Sequence, residues 1–144
     1  MVQRLHVSVA LLACAVLALA TPGANADGKK KDKDRPRLSG TWARQEGEMK
    51  IEFSDKDVMK IVPHGEKKVI VVVCEYTVDK QGLVKAKIKE LEGEAKDKAK
   101  DHLPVGLEFS FKWQVKDDAA TLDDVKGDNV DPLKAHLEGK YEKK

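Results

Sequence analysis

Residues 107–115 alternate without a break: Leu107, Phe109, Phe111, Trp113 and Val115 are apolar, and Glu108, Ser110, Lys112 and Gln114 between them are polar. A helix would scatter these side chains around its circumference, whereas a strand sends each class to its own face. The pattern recurs. Met49, Ile51 and Phe53 alternate with Glu48, Lys50 and Glu52, and Val84, Ala86 and Ile88 stand opposite Lys85, Lys87 and Lys89. Repeated one-sided strands mean antiparallel pairing, with one face buried and one in water. The run 69–78 is apolar on both faces over much of its length and is expected to be the most covered strand.

Turn-forming residues separate these runs, at Ser54-Asp55-Lys56-Asp57, Pro63-His64-Gly65-Glu66, Asp79-Lys80-Gln81-Gly82 and Lys116-Asp117-Asp118. The spacing predicts about eight strands, near 38–45, 47–54, 57–63, 67–78, 83–91, 106–116, 119–125 and 136–143. Short consecutive connections make a meander, and closing the meander removes its edges. The expected fold is therefore all-β: a single antiparallel up-and-down barrel with one short charged helix or flap. That flap is the Ala-, Lys- and Glu-rich segment 92–102, in which Glu94 stands four before Lys98 and Pro104 follows as a stop. Asp131-Pro132 reads as an N-cap with proline at the first helical position, so 133–136 is expected to form one helical turn.

The N-terminus predicts export. Arg4 and His6 precede an uncharged apolar run at 7–20, too short for a comfortable membrane span, and Ala24-Asn25-Ala26 supplies small residues for cleavage. Residues 1–26 are read as a signal peptide, leaving no integral membrane span after cleavage and a periplasmic or extracellular destination. Lipidation of Cys14 in Leu11-Leu12-Ala13-Cys14 is the weaker alternative, because the apolar run continues through Val16, Leu17 and Leu19. Residues 27–37 (DGKKKDKDRPR) hold six basic and three acidic residues with no large apolar side chain, and read as a charged flexible linker. The folded domain is then 38–144, in which 20 basic face 22 acidic residues. Such a balance commits the domain neither to nucleic acid nor to an anionic membrane. After cleavage only Cys74 remains, so no disulfide forms within the chain and Cys74 reads as a buried, inert thiol.

Leu38-Ser39-Gly40-Thr41-Trp42, placed ahead of a strand meander that ends in Leu137-Glu138-Gly139-Lys140-Tyr141-Glu142-Lys143, resembles the lipocalin-like (calycin-type) barrels. More closely it resembles small exported bacterial proteins that carry such a domain. The resemblance implies structural roles for Gly40, which lets the first strand bend close to its neighbours, and for Trp42, which closes one end of the barrel. Lipocalins stack an arginine of the last strand on that tryptophan, and here the last strand offers Lys140 and Lys143 instead.

No Gly-x-Ser-x-Gly, phosphate-cradling loop or His-Glu-x-x-His occurs, and His64, His102 and His136 stand far apart. No enzyme activity, metal or cofactor is expected. The acidic stretch 123–131 fails the calcium-loop pattern, because Lys126 and Val130 take ligand positions, and is expected to be a solvated loop. Phe109, Phe111 and Trp113 have the alternate spacing of a base-stacking row, but Glu108 and the acidic balance of the domain argue against nucleic acid. Two functions remain. Either the inward side chains fill the barrel, leaving a structural or interaction module of the cell envelope with an unidentified protein partner, or they line a pocket for a small apolar ligand. The candidate ligand wall is Phe53, Phe109, Phe111 and Trp113, with Met49 and Ile51. An internal cavity of about 300 Å³ or more separates the two, and the inward aromatics tilt the balance toward filling.

Overall fold

The computed structural model describes residues 38–65 and 67–144. The readings of 1–26 as a signal peptide, 27–37 as a linker and Cys14 as a lipidation site lie outside the described residues. Eight strands run in chain order: β1 (Gly40–Arg44), β2 (Lys50–Phe53), β3 (Val58–Val62), β4 (Val71–Val78), β5 (Leu83–Glu92), β6 (Glu108–Lys116), β7 (Ala119–Gly127) and β8 (Gly139–Lys143). Each pairs antiparallel with the next, and β8 returns to β1 through Trp42↔Lys143, Ala43↔Glu142 and Arg44↔Tyr141. The result is the closed up-and-down barrel that the alternation predicts. Closure satisfies the backbone groups that an open meander would leave bare at its two outer strands.

The period of two is carried into burial. Phe109, Phe111 and Trp113 of β6 face inward with Val84, Ala86 and Ile88 of β5, while Lys85, Glu108 and Lys112 stay in water. Two bulges interrupt the alternation where the sequence gives no sign of them. Cys74 pairs with Ile88 but Val73 pairs with Glu90, so Lys89 is an extra residue and Leu91 rather than Glu90 turns inward. In β7, Asp124 adopts φ 57°, and the register slips so that Val125 follows Leu122 into the core. The strand expected at 119–125 therefore runs on to Gly127, and the part of the acidic stretch at 123–127 lies in it rather than in a solvated loop. The Asp124 carboxylate lies 3.2 Å from Lys112 Nζ and 2.9 Å from Lys126 Nζ, and these bonds hold its carboxyl below the usual carboxylate range.

Three further expectations are corrected. The fourth strand begins at Val71 rather than 67, because residues 67–70 bend across toward Gly93, whose Cβ, were it present, would lie 2.5 Å from the Val69 carbonyl oxygen. Val115 is 50% exposed, since it falls beside the tight β6–β7 turn beyond the covered part of the wall. Asp131 is not an N-cap. It is already the first residue of α2 (Asp131–Leu137), with Val130 before it and no side-chain cap. The charged flap does form a helical turn, α1 (Lys96–Ala99).

An up-and-down barrel sends successive connections to alternate ends. Those at 54–57, 79–82 and 117–118 are tight turns at one end. Those at 45–49, 63–70, 93–107 and 128–138 are longer, carry both helices, and gather at the other. This asymmetry makes the two ends of the barrel different. Among the described residues no helix is long and apolar enough to cross a membrane.

Candidate functional site

The tight-turn half of the barrel is filled with rings. Trp113 is the hub: its centroid lies 5.5 Å from Trp42 at 86°, 5.2 Å from Phe53 at 65° and 5.4 Å from Tyr141 at 52°. Phe53 in turn meets Tyr76 edge-on at 5.3 Å. Edge-to-face contacts at these distances are the favoured way for aromatic quadrupoles to pack. Two of the rings are tied to the chain just ahead of β1. Trp42 Nε1 donates to the Ser39 carbonyl at 3.2 Å and the Tyr76 hydroxyl to that of Leu38 at 3.0 Å. Trp113 Nε1 is buried without a hydrogen-bond partner, enclosed by the rings around it.

Lys143 of β8 sets its Nζ 6.0 Å from the centre of the Trp42 ring, a cation–π contact across the β1–β8 seam. Gly40 makes room for it. Its φ of +93° is a conformation other residues avoid, and a Cβ there would lie 3.3 Å from Lys143 Cε.

The long-loop half differs. A hollow of about 550 Å³ opens there, and all four long connections contribute to it. Its floor is apolar, made by Ile61 and Val72 of the strands, by Met49 and Ile70 just ahead of β2 and β4, and by Leu103 and Leu133 of the two helical connections. Its rim is polar, with Arg44, Glu46 and Glu48 and with His64, His102 and His136 from three separate connections. The volume exceeds the roughly 300 Å³ at which ligand pockets begin. Of the candidate ligand wall, Met49 lines this hollow. Ile51, Phe53, Phe111 and Trp113 instead pack inside the barrel, and Phe109 stacks on Phe111 at 6.1 Å. A larger open hollow of about 740 Å³ lies beside β4, β5 and β6, with Lys85, Lys87, Glu108 and Lys126 among its lining residues. Phe109 of the candidate ligand wall lines it together with Tyr76 and Ala86, and charged side chains, including the Lys87–Glu108 pair at 2.9 Å, stand around them.

The roof of the mouth is fixed from below. Leu133 and Leu137 bury the inner face of α2. Arg44 Nη1 donates to the His136 carbonyl at 2.7 Å and Nη2 to that of Glu138 at 2.8 Å, while the Tyr141 hydroxyl donates to Leu137 at 2.6 Å. Three carbonyls at the end of the helix are thus satisfied from the barrel wall. Gly139 allows this approach, since a Cβ there would sit 2.7 Å from Arg44 Nε. Burial pushes the Tyr141 phenol well above its ordinary range, partly offset by the Arg44 charge, so it remains a donor.

Among the described residues no three His, Cys, Asp or Glu side chains are placed to hold a metal ion, and the three rim histidines do not converge on a point. Burial pushes the Cys74 thiol up to about 12, which leaves it protonated and unreactive. Glu46 and the three histidines escaped the reading of the sequence because they lie on connections, outside any periodic run. Compared with family models, with curated proteins and with solved structures, the chain finds no match in any of the three.

Proposed function

We propose that this chain is a non-enzymatic binding module of lipocalin-like type, which holds a small apolar molecule at the long-loop end of its barrel. The observation that carries the reading is the hollow of about 550 Å³, apolar on its floor and polar only at its rim. Sites for small molecules have this composition, with few polar groups set against mostly hydrophobic walls. The closed eight-strand barrel and the Gly40–Trp42 motif with Lys143 over the ring support the lipocalin-like resemblance. Titration with a neutral environment-sensitive fluorophore such as N-phenyl-1-naphthylamine tests the site. Saturable binding that Leu103→Asp abolishes is the expected result, and binding unaffected by that change places any ligand elsewhere.

A second reading follows from the other half of the barrel. The rings around Trp113 fill it, as they would in an interaction module of the cell envelope that works through its charged exterior. Capture of a protein partner by a variant with a blocked mouth favours that reading. Both place the mature protein outside the cytoplasm, on the strength of residues 1–26. The intact mass of the exported form is expected to begin at Asp27, and a mass carrying lipid on Cys14 replaces this with the lipoprotein alternative.

A further inference from the structure

The geometry points to a second binding site, on the outward face of β4 to β7, for a phosphate monoester of a polyhydroxy compound. Four side chains stand there in one cross-strand row. Thr77 of β4 pairs with Lys85 of β5, Lys85 with Ser110 of β6, and Ser110 with Lys126 of β7. Their chain neighbours Tyr76, Ala86, Phe109 and Val125 are buried, so the four share the solvent side of the wall. Directly opposed residues set their Cβ atoms about 5 Å apart. The row therefore reads hydroxyl, ammonium, hydroxyl, ammonium, each of them a hydrogen-bond donor. All four line the open hollow of about 740 Å³, and Lys56 enters it from the β2–β3 turn. A tetrahedral oxyanion over Lys85 meets a hydroxyl on either side and the two longer lysine stems beyond. None of these residues belongs to the hollow at the long-loop end.

The carboxylates of this hollow do not cancel the row. Glu75, Lys87 and Glu108 form the next row along the same three strands. It lies two residues away, or about 7 Å. Glu108 bonds Lys87 at 2.9 Å and Glu75 lies 3.3 Å from Lys89, so each already faces an ammonium. Lys126 lies 2.9 Å from Asp124, a carboxylate it shares with Lys112 at 3.2 Å. Asp57, the remaining acid of the hollow, sits beside Lys56 in the turn. Lys85 is different. Among the described residues it makes no ion pair and no side-chain hydrogen bond. An ammonium set between two hydroxyls, with no carboxylate of its own, is an arrangement that receives an anion through charge-assisted bonds. The second row adds specificity, because Glu75 and Glu108 keep acceptor lone pairs beyond their ion pairs. Phosphate on the first row and alcohol hydroxyls on the second, with a sugar ring between, make a sugar phosphate the class of ligand that fits both.

The experiment titrates the full-length mature protein with glucose 6-phosphate, inorganic phosphate and glucose, and follows backbone amide chemical shifts. It is run at pH about 7.5, where a phosphate monoester is close to a dianion. Glucose 6-phosphate is expected to shift the amides of Thr77, Lys85, Ser110 and Lys126 saturably. It should bind about tenfold more tightly than inorganic phosphate, and glucose alone more weakly still. Lys85→Gln is expected to weaken binding about tenfold, and the pair Thr77→Val, Ser110→Ala by about as much. Lys140→Gln, which removes an exposed lysine of β8 outside this hollow, should leave the affinity unchanged. Equal weakening by Lys140→Gln overturns the site, since the attraction would then belong to the field of the whole surface. Inorganic phosphate or glucose binding as tightly as glucose 6-phosphate overturns the class of ligand. Shifts confined to the long-loop end, or no shifts at all, also overturn the proposal and leave the reading of the apolar hollow untouched.

Discussion

Arg44, on the first strand, donates from Nη1 to the carbonyl oxygen of His136, 92 residues later, at a distance of 2.7 Å. One side chain thereby joins the barrel wall to the helix that roofs its mouth. Its second nitrogen takes the Glu138 carbonyl, so the planar fork is used on two acceptors at once, a geometry lysine does not reproduce. Arg44→Met is expected to cost about 1.5–3 kcal/mol, the range for hydrogen bonds to charged groups. Amide exchange reports where the loss falls: the Glu138 N–H, which bonds Lys134, should exchange faster while strand amides far from α2 hold. Uniform change across the barrel would refute the latch.

Trp42 is buried at 4% exposure, between the Trp113 ring and the Lys143 ammonium. Trp42→Ala is expected to lower stability by about 3–5 kcal/mol through the cavity it leaves. Lys143→Ala removes only an exposed cation–π contact and is expected to cost about 0.5–1 kcal/mol. Urea unfolding of the two variants checks the ordering. A tryptophan variant within about 1 kcal/mol of the parent would end its role in closing the barrel.

Phe111 has no exposed surface and lies between Val84 of β5 and the inner face of β7. Phe111→Ala is expected to cost about 3–5 kcal/mol and to open a dry cavity that admits benzene or xenon. Hydrocarbon binding by the variant alone marks that half of the barrel as packed solid. Equal binding by the parent would reveal space among the rings.

Two buried acids set the alkaline limit. Cys74 moves from an ordinary 9.0 to about 12 through burial, and burial raises Tyr141 as well. A raised acid binds its proton more firmly in the folded chain, so its contribution is complete below the unfolded value and falls away as pH climbs above it. The urea midpoint is therefore expected to be flat through pH about 8 and to decline from about 9 toward 12. Cys74→Val should make that decline shallower. A midpoint insensitive to this change across the alkaline range would show that the thiol ionises without penalty.

The strands were legible because a half-buried sheet imposes its period directly on side-chain polarity. Val84, Ala86 and Ile88 announce β5 almost to its ends, read as 83–91 and found as Leu83–Glu92. The bulges at Lys89 and Asp124 were not legible, since one inserted residue changes which neighbour turns inward without changing composition. Tyr141 lay in a segment of alternating charge and gave no hint that it would be fully buried against Trp113. The hollow was the least visible feature. Its walls come from four connections, and nothing in a linear chain says that His64, His102 and His136 will share one rim.

The seam between β1 and β8 also governs the order of events during synthesis. Trp42 and Arg44 leave the ribosome early, yet their partners Lys143 and Tyr141 emerge only when the domain is almost complete. Until then β1 and β7 each present a bare row of amides and carbonyls, the condition in which nascent chains pair with one another. Seven strands of this protein are an adhesive ribbon, and the eighth converts them into a vessel with nothing left to recruit a neighbour.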